Sequence, residues 1–257
     1  MPLFRIAVLS LALAGCAGRT PIVPLVFYDS PEVALRALAA TTPGTQAVTA
    51  TARIEIRNNG NRYPLKVAVM MKRPALLRVE SIPLMGPPDF YLSVADGELR
   101  VFLPGTGAFY KGRATPQNIS RFFPVSMPAA DIVSLLMGVP PDGAEEMQSL
   151  RGDREEGLYR VDHYKSGRRL RSLWIEPANG RLIRFRRFTE EGTVVYTADF
   201  ADHVRFGEGY LPQQVTIREG EMSILTIRQA DLRPITADPE SFPLPVPAGM
   251  IPILLNP

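Results

Sequence analysis

The chain has 257 residues, of which 46% are hydrophobic and 21% are charged, a composition typical of a folded domain with one sizeable core. Lys and Arg number 29 against 26 Asp and Glu, and no long run of like charge occurs, so the composition does not support nucleic-acid binding. Two histidines and one cysteine are too few for a Cys/His metal site or an internal disulfide. The 25 prolines favour many short strands over a helical bundle.

The N-terminal segment has the layout of a secretory signal peptide. Arg5 is followed by an apolar run over residues 6–13, which is too short to span a bilayer. Two small residues, Ala14 and Gly15, then precede Cys16, the only cysteine of the chain. This ending resembles a bacterial lipobox, and the resemblance implies cleavage before Cys16, diacylglycerol on its sulfur and a further acyl chain on its new amine. The alternative is an ordinary signal peptide with an incidental cysteine.

Lipidation at Cys16 would anchor the protein firmly, because two or more acyl chains hold a protein stably at ~0.8 kcal/mol per buried methylene. We therefore expect a signal peptide at residues 1–15, a lipidated N-terminus and tether at 16–29, and one domain at 30–257. Ala17 is not the inner-membrane retention signal of such lipoproteins, so the periplasmic face of the outer membrane is the expected location. No cofactor is expected apart from the lipid on Cys16.

The folded part of the chain begins with a helix signal and continues as strands. Ser30 is placed to cap a helix that has Pro31 at its first position, and Pro43-Gly44 ends it. From residue 48 onward, apolar and polar residues alternate between turns rich in Gly, Asn and Pro, which is typical of half-buried antiparallel strands. About twelve strands are predicted, at residues 48–56, 65–71, 76–82, 89–95, 98–104, 109–113, 158–165, 170–176, 181–188, 193–203, 210–218 and 221–232.

Two segments in the middle of the chain, residues 116–123 and 128–138, are predicted to be helices. In the second, Ile132, Leu135 and Leu136 share one face, and a glycine follows as a C-terminal cap. The alternating strands leave one apolar sheet face, and these helices are the apolar elements available to cover it. We therefore predict a mainly β fold with a helical insert: a single strongly curved antiparallel sheet, or half-open barrel, of about 11–12 strands with helices on its concave face.

This order of elements resembles the LolA/LolB lipoprotein-carrier family. A lipobox, a first helix, about six strands, two central helices and a second run of strands occur in that order, and residues 242–249 resemble the Phe…Pro…Gly tail of the superfamily. The resemblance implies a half-open barrel with a helical lid over an apolar cavity. Uncharacterised bacterial lipoproteins share this arrangement, and the chain is compatible with that group as well as with LolB-type proteins.

A sharper local match lies between the third and fourth predicted strands, where residues 82–88 read Ile-Pro-Leu-Met-Gly-Pro-Pro. LolB-type proteins have a projecting loop with a Pro-Leu-Gly core at this junction, and its leucine helps to pass lipoproteins into the membrane. The resemblance assigns that role to Leu84, with Met85 beside it as an insertion in the motif. The alternative is an apolar loop folded back on its own domain.

The sequence offers no catalytic constellation. His163 follows Asp162 and His203 follows Asp202, but neighbouring strand residues point to opposite faces, so neither aspartate can orient its histidine. We interpret both histidines as structural. With Cys16 assigned to lipid and no Gly-x-Ser-x-Gly motif present, an envelope hydrolase is the least favoured class, and we expect no enzymatic activity.

Basic residues concentrate in the predicted hairpin strands of the second half. Arg168, Arg169, Arg184 and Arg186 form a candidate patch for anionic lipid head groups or an acidic carrier protein, although a solvated outer sheet face accounts for them equally simply. Trp174 stands between two apolar residues and is expected to lie in the core or to line the cavity.

Together these features favour a lipid-anchored periplasmic binding protein that holds acyl chains or lipoproteins in an apolar half-barrel cavity. Its expected partners are the membrane, acylated lipoproteins and a periplasmic carrier protein, and it is expected to be a monomer. The alternative is a structural or assembly lipoprotein that docks a protein partner, with its concave face filled by its own side chains. An open apolar space beneath the helices would distinguish the carrier from the scaffold.

Overall fold

The structure of the protein, a computed structural model, describes residues 27–44, 46–58, 61–123, 125–142, 148–220 and 223–256. It contains three helices, Pro31–Thr41 (α1), Pro116–Ser120 (α2) and Ala129–Leu136 (α3). The strands are Ala47–Asn58 (β1), Asn61–Lys72 (β2), Leu76–Ser81 (β3), Tyr91–Ala95 (β4), Glu98–Leu103 (β5), Ala108–Arg113 (β6), Ser149–Glu155 (β7), Leu158–Lys165 (β8), Arg168–Ile175 (β9), Leu182–Phe188 (β10), Val194–Phe206 (β11), Gly209–Glu219 (β12), Ser223–Ile235 (β13) and Ile253–Leu254 (β14).

All fourteen strands belong to one open, curved sheet, in the order β14-β6-β5-β4-β3-β2-β1-β13-β12-β11-β10-β9-β8-β7. Two meanders, β1 to β6 and β7 to β13, lie side by side because β1 pairs antiparallel with β13 along most of its length. Tight hairpins connect neighbouring strands. At the turn between β4 and β5, for example, Asp96 and Gly97 have φ of 51° and 73°, the left-handed conformation that such turns require.

The apolar rows of the strands face the helices, and this side of the sheet is called the concave face. Its core includes Val48, Ile54 and Val67 from the first meander and Val161 and Val215 from the second, each at most 4% exposed. The opposite side, called the outer face, carries most of the charged side chains. The alternation of the sequence thus sets the two faces, as period-two side-chain geometry requires.

Helix α1 closes one end of the second meander. The Ser30 hydroxyl accepts a hydrogen bond from the Val33 amide, and Pro31 occupies the first turn. At its other end the backbone of α1 meets the turns of the sheet so closely that a Cβ on Gly180 or Gly209 would stand 2.7 or 2.5 Å from a backbone oxygen of the α1 region. Glycine is therefore required at both contacts.

The mainly β, helix-covered fold predicted from the sequence is confirmed, but the sheet is larger than expected. The strands missed are β7, which is largely exposed and polar, and β14, which is only two residues long. The expectation of a purely antiparallel sheet is wrong at one place, because β14 pairs parallel to β6. Both missed strands lie at sheet edges, where a strand has no buried side to impose alternation.

Candidate functional site

The loop between β3 and β4 projects from the sheet on a fixed base. The Ser81 hydroxyl donates to Asp89 Oδ1 at 2.6 Å and accepts from the amides of Asp89 and Phe90 at 3.0 and 3.1 Å, which ties the two ends of the loop together. At its tip Leu84 is fully exposed and Met85 is 90% exposed. The loop therefore does not fold back on the domain, and the two side chains predicted to contact membrane or cargo both face solvent.

A second exposed apolar group lies near the other edge of the first meander. Ile251 is 89% exposed and Leu254 is 76% exposed, on the segment that leads into and forms β14. Strand β14 runs parallel to β6, and β6 begins at the same end of the sheet as the β3–β4 loop. The segment that leads into β14 therefore lies at that end as well. Exposed apolar side chains grouped in this way are typical of surfaces that meet another apolar surface.

Helix α3 occupies the concave face. Seven of its eight residues are buried, and they include two polar ones, Asp131 and Ser134. Val133 and Leu135 are both fully buried, so the helix is enclosed rather than laid on the surface. A helix that is buried all round is part of a core. Where α3 lies, the concave face is thus occupied by a packed helix and not by an open cavity.

Polar contacts attach both ends of α3 to the sheet. Tyr196 on β11 donates its hydroxyl to Asp131 Oδ2 at 2.9 Å, and the Arg187 guanidinium lies 4.0 Å from the same oxygen. At the other end, Gln229 on β13 donates to the Leu136 carbonyl at 2.9 Å. Burial raises the pKa of Asp131, and burial together with the Asp131 charge raises the pKa of Tyr196. The sequence does not predict these contacts. A polar residue in an apolar row breaks the alternation by which a strand is recognised, and the alternation does not show which residue it will meet.

Four clefts with volumes of ≈ 330 to ≈ 550 Å³ lie elsewhere among the described residues. None of these four is lined by α3. The largest lies across β1, β2 and β13 and is lined by Thr51, Ala52, Arg53, Glu55, Lys66, Arg228, Gln229 and Ala230. It is a polar cleft on the outer face, at a place the sequence did not single out.

The four arginines of the predicted patch occupy the second meander, and three of them have carboxylate partners. Arg184 Nε is 2.6 Å from Asp199, whereas the Nη1 atoms of Arg168 and Arg169 are 3.3 and 3.8 Å from Glu190 and Asp162. Arg186 differs, because its Nε donates to the Thr197 hydroxyl at 3.2 Å. Burial and the charges of Arg184 and Arg169 lower the pKa of Arg186. Most of the predicted patch is therefore neutralised within the protein.

Trp174 lies beneath this patch and is buried in the core, as one of the two sequence predictions for it states, but on the outer side of the sheet. It is buried, with 3% exposed, but Leu173 and Ile175 on either side of it point into the concave core, so the indole ring is on the outer face. The guanidinium carbons of Arg184 and Arg186 stand 5.7 and 5.2 Å from its ring centroid. Trp174 is a stacking base for arginines and does not line the concave face.

The two histidines do not form a catalytic pair. His163 is buried on the concave side, where its Nδ1 accepts from Arg171 Nε at 3.2 Å, while the neighbouring Asp162 binds Arg160 on the outer face. His203 Nε2 lies 3.2 Å from the Leu182 carbonyl. The described residues contain no group of three or more His, Cys, Asp and Glu side chains placed to hold a metal ion.

Solved structures share this architecture. A LolA superfamily protein from Nitrosomonas europaea superimposes with a TM-score of 0.60 over 84% of this chain and 99% of its own, at 12% sequence identity. An outer-membrane lipoprotein-sorting protein domain from Vibrio parahaemolyticus gives 0.58 over 79% and 91%, at 13% identity. A DUF1329 family protein from Desulfovibrio piger gives 0.57 over 79% and 90%, at 14% identity. No family model and no curated protein matches the sequence.

This chain has the LolA-like fold. Within that fold α3 is the helix that covers the concave face, and the Leu84 loop is a projection from the rim of the sheet. The predicted lipidation site, Cys16, and the boundaries at residues 15 and 29 fall on a stretch of which only residues 27–29 are described. Across the described part of this LolA-like chain, no helix combines the length and apolarity needed to cross a membrane.

Proposed function

We propose that the protein is a lipid-anchored envelope protein that accepts acyl chains, free or carried by lipoproteins, on its concave face. The observation that carries the proposal is an apolar sheet face covered by three short helices, of which α3 is the most completely buried, in a LolA-like fold. Such a face lowers free energy by keeping apolar surface from water, and an acyl chain can replace α3 there without any covalent chemistry. The proposal includes anchoring through Cys16 at the periplasmic face of the outer membrane, in a monomer without enzymatic activity.

Cargo entry at the place of α3 requires this helix to move, because seven of its eight residues are buried against the rest of the domain. The polar contacts of α3 with the sheet are few, notably those of Tyr196 and Gln229. The apolar side chains of the helix would exchange their contacts with the sheet for contacts with the bound acyl chain. The net cost of displacement is therefore smaller than the buried area of the helix suggests. In this scheme Leu84 and Met85 provide the first apolar contact with an acylated cargo or with the membrane that receives it.

The test compares charge substitutions at two exposed apolar residues, one on the β3–β4 loop and one at the start of β11. Leu84→Glu should leave the melting temperature nearly unchanged, because the side chain buries little area, yet it should strongly reduce transfer of a fluorescent acylated peptide to liposomes, since a charge at the apolar contact costs a few kcal/mol of desolvation. Val194→Glu, at an exposed apolar residue of β11 in the second meander, is the control and should transfer normally. Equal loss in both variants, or no loss with Leu84→Glu, contradicts the role of the loop.

A second candidate function is favoured by the enclosed state of α3. An assembly lipoprotein that docks a protein partner needs no open cavity, and a helix with seven of eight residues buried is what such a scaffold would contain. Native mass spectrometry of the protein carrying Cys16→Ala separates the two functions. Non-covalent lipid retained by the folded protein supports the carrier, whereas lipid-free protein that also fails to take up added fatty acid supports the scaffold.

A further inference from the structure

Three basic side chains face one another across three neighbouring strands on the outer face. Arg53 on β1 is directly opposite Lys66 on β2 and directly opposite Arg228 on β13. Opposed residues in antiparallel strands have Cα atoms about 4.5–5.5 Å apart, so the three Cα atoms lie within about 11 Å. Like charges placed directly opposite each other are destabilising. The row Lys66–Arg53–Arg228, called the cation row, thus costs the fold stability.

The described residues do not neutralise the cation row. All three side chains are exposed, and among the described residues none of the three forms an ion pair. Two acidic groups on the same strands have other partners. Glu55, which lines the same cleft, binds Arg57 Nε at 2.8 Å, and the carboxylate of Asp231 accepts from the Thr51 hydroxyl at 2.9 Å.

The three side chains of the cation row line the largest of the four described clefts, which has a volume of ≈ 550 Å³. That space is larger than a single inorganic phosphate needs. Both neighbours of β1 are already paired to it, so no free backbone edge is available here to bind a peptide as an added strand. Recognition at this place depends on side-chain charge alone, which suits a phosphodiester on a flexible head group.

We propose that Arg53, Lys66 and Arg228 bind the phosphate head groups of anionic phospholipids, so that the outer face of the sheet across β2, β1 and β13 lies against an anionic membrane surface. Each Lys or Arg close to such a surface contributes about 1 kcal/mol, which corresponds to about a fivefold increase in the binding constant for each charge. The cation row is on the opposite side of the sheet from α3. The proposal therefore stands whether or not the concave face takes a cargo.

Lysine acylation of the anchored protein tests the proposal with an internal control. The full chain is reconstituted into vesicles of phosphatidylcholine alone, or of phosphatidylcholine mixed with phosphatidylglycerol, and treated with a water-soluble succinimidyl ester before peptide mass spectrometry. Lys66 should react about fivefold more slowly in the anionic vesicles. Lys165, an exposed lysine at the turn between β8 and β9, should react at the same rate in both.

Two variants with equal loss of charge make the test specific. Arg53→Gln with Arg228→Gln should abolish the protection of Lys66, whereas Arg36→Gln with Arg121→Gln, two exposed arginines away from the cleft, should retain it. The proposal is overturned if Lys66 is equally reactive in both vesicles, if Lys165 is protected to the same extent, or if protection survives in the cation-row variant. Protection by inorganic phosphate alone, without anionic lipid, would also overturn the lipid assignment.

Discussion

Two arginine-rich regions share the outer face, and they treat their charges in opposite ways. In the second meander, Asp199 binds both Arg184 and Arg218, and Trp174 lies beneath the guanidinium groups. At the seam where β1 meets β13, Arg53 and its two basic neighbours have no carboxylate partner within the described residues. Paired arginines stabilise the sheet, whereas unpaired cations in register carry an electrostatic cost. The unpaired region is therefore the better candidate for an external anion.

The strongest test of the paired region removes its aromatic base. Trp174→Ala should lower the free energy of unfolding by about 4 kcal/mol, because a fully buried indole is lost and the arginines above it lose their stacking surface. Chemical denaturation followed by circular dichroism measures the change. Lys66 protection by anionic vesicles should persist in this variant under folding conditions. If it disappears while the protein stays folded, the two regions are not independent.

Acid should destabilise the fold through the buried His163 on β8. Burial, and secondarily Arg171, lowers the pKa of His163 to about 3, against about 6.5 in the unfolded chain. The unfolded state therefore binds a proton below pH 6.5 that the folded state refuses, and stability falls as pH drops towards 3. Denaturant titrations should show a loss of about 2 kcal/mol from this group between about pH 7 and pH 5.

His163→Phe provides the control for that pH dependence. A phenyl ring replaces the imidazole and does not titrate. The slope of unfolding free energy against pH below 6 should therefore flatten by up to about 1.4 kcal/mol per pH unit. His203, whose pKa is lowered by burial and then by Arg181, remains in both proteins and leaves the difference unaffected. An unchanged slope would mean that His163 is protonated in the folded protein.

The smallest expected effect is also the most direct comparison of the two regions. Arg53→Glu should raise the free energy of unfolding by about 1 kcal/mol, because a carboxylate between Lys66 and Arg228 replaces two repulsions with two attractions. The same change at Arg184 should lower the free energy of unfolding by a similar amount, since it places a second carboxylate beside that of Asp199. Both are measured by urea denaturation. Changes of the same sign would remove the distinction between the regions.

The sequence predicts whatever depends on local pattern. The helix cap at Ser30, the inward rows of the strands and the proline-stiffened turn that carries Leu84 all follow from neighbouring residues. Register between distant strands does not, and the cation row exists only because β1 pairs with β13. Trp174 illustrates the same limit, because three consecutive apolar residues do not show which of them points outward. That choice is made by arginines on β10.

The pairing of β1 with β13 has a consequence for how the chain folds. The seam between the two meanders joins residues near the two ends of the domain, such as Ala52 and Gln229. The sheet is therefore complete only when both meanders are present. Closing so long a loop before the contacts form costs entropy, and folds dominated by such contacts assemble slowly. The first meander must therefore wait, with the backbone edge of β1 open, until nearly the whole domain has been synthesised. During that interval the edge is exposed to pairing with other chains, and a chaperone that shields strand edges would raise the yield of folded protein.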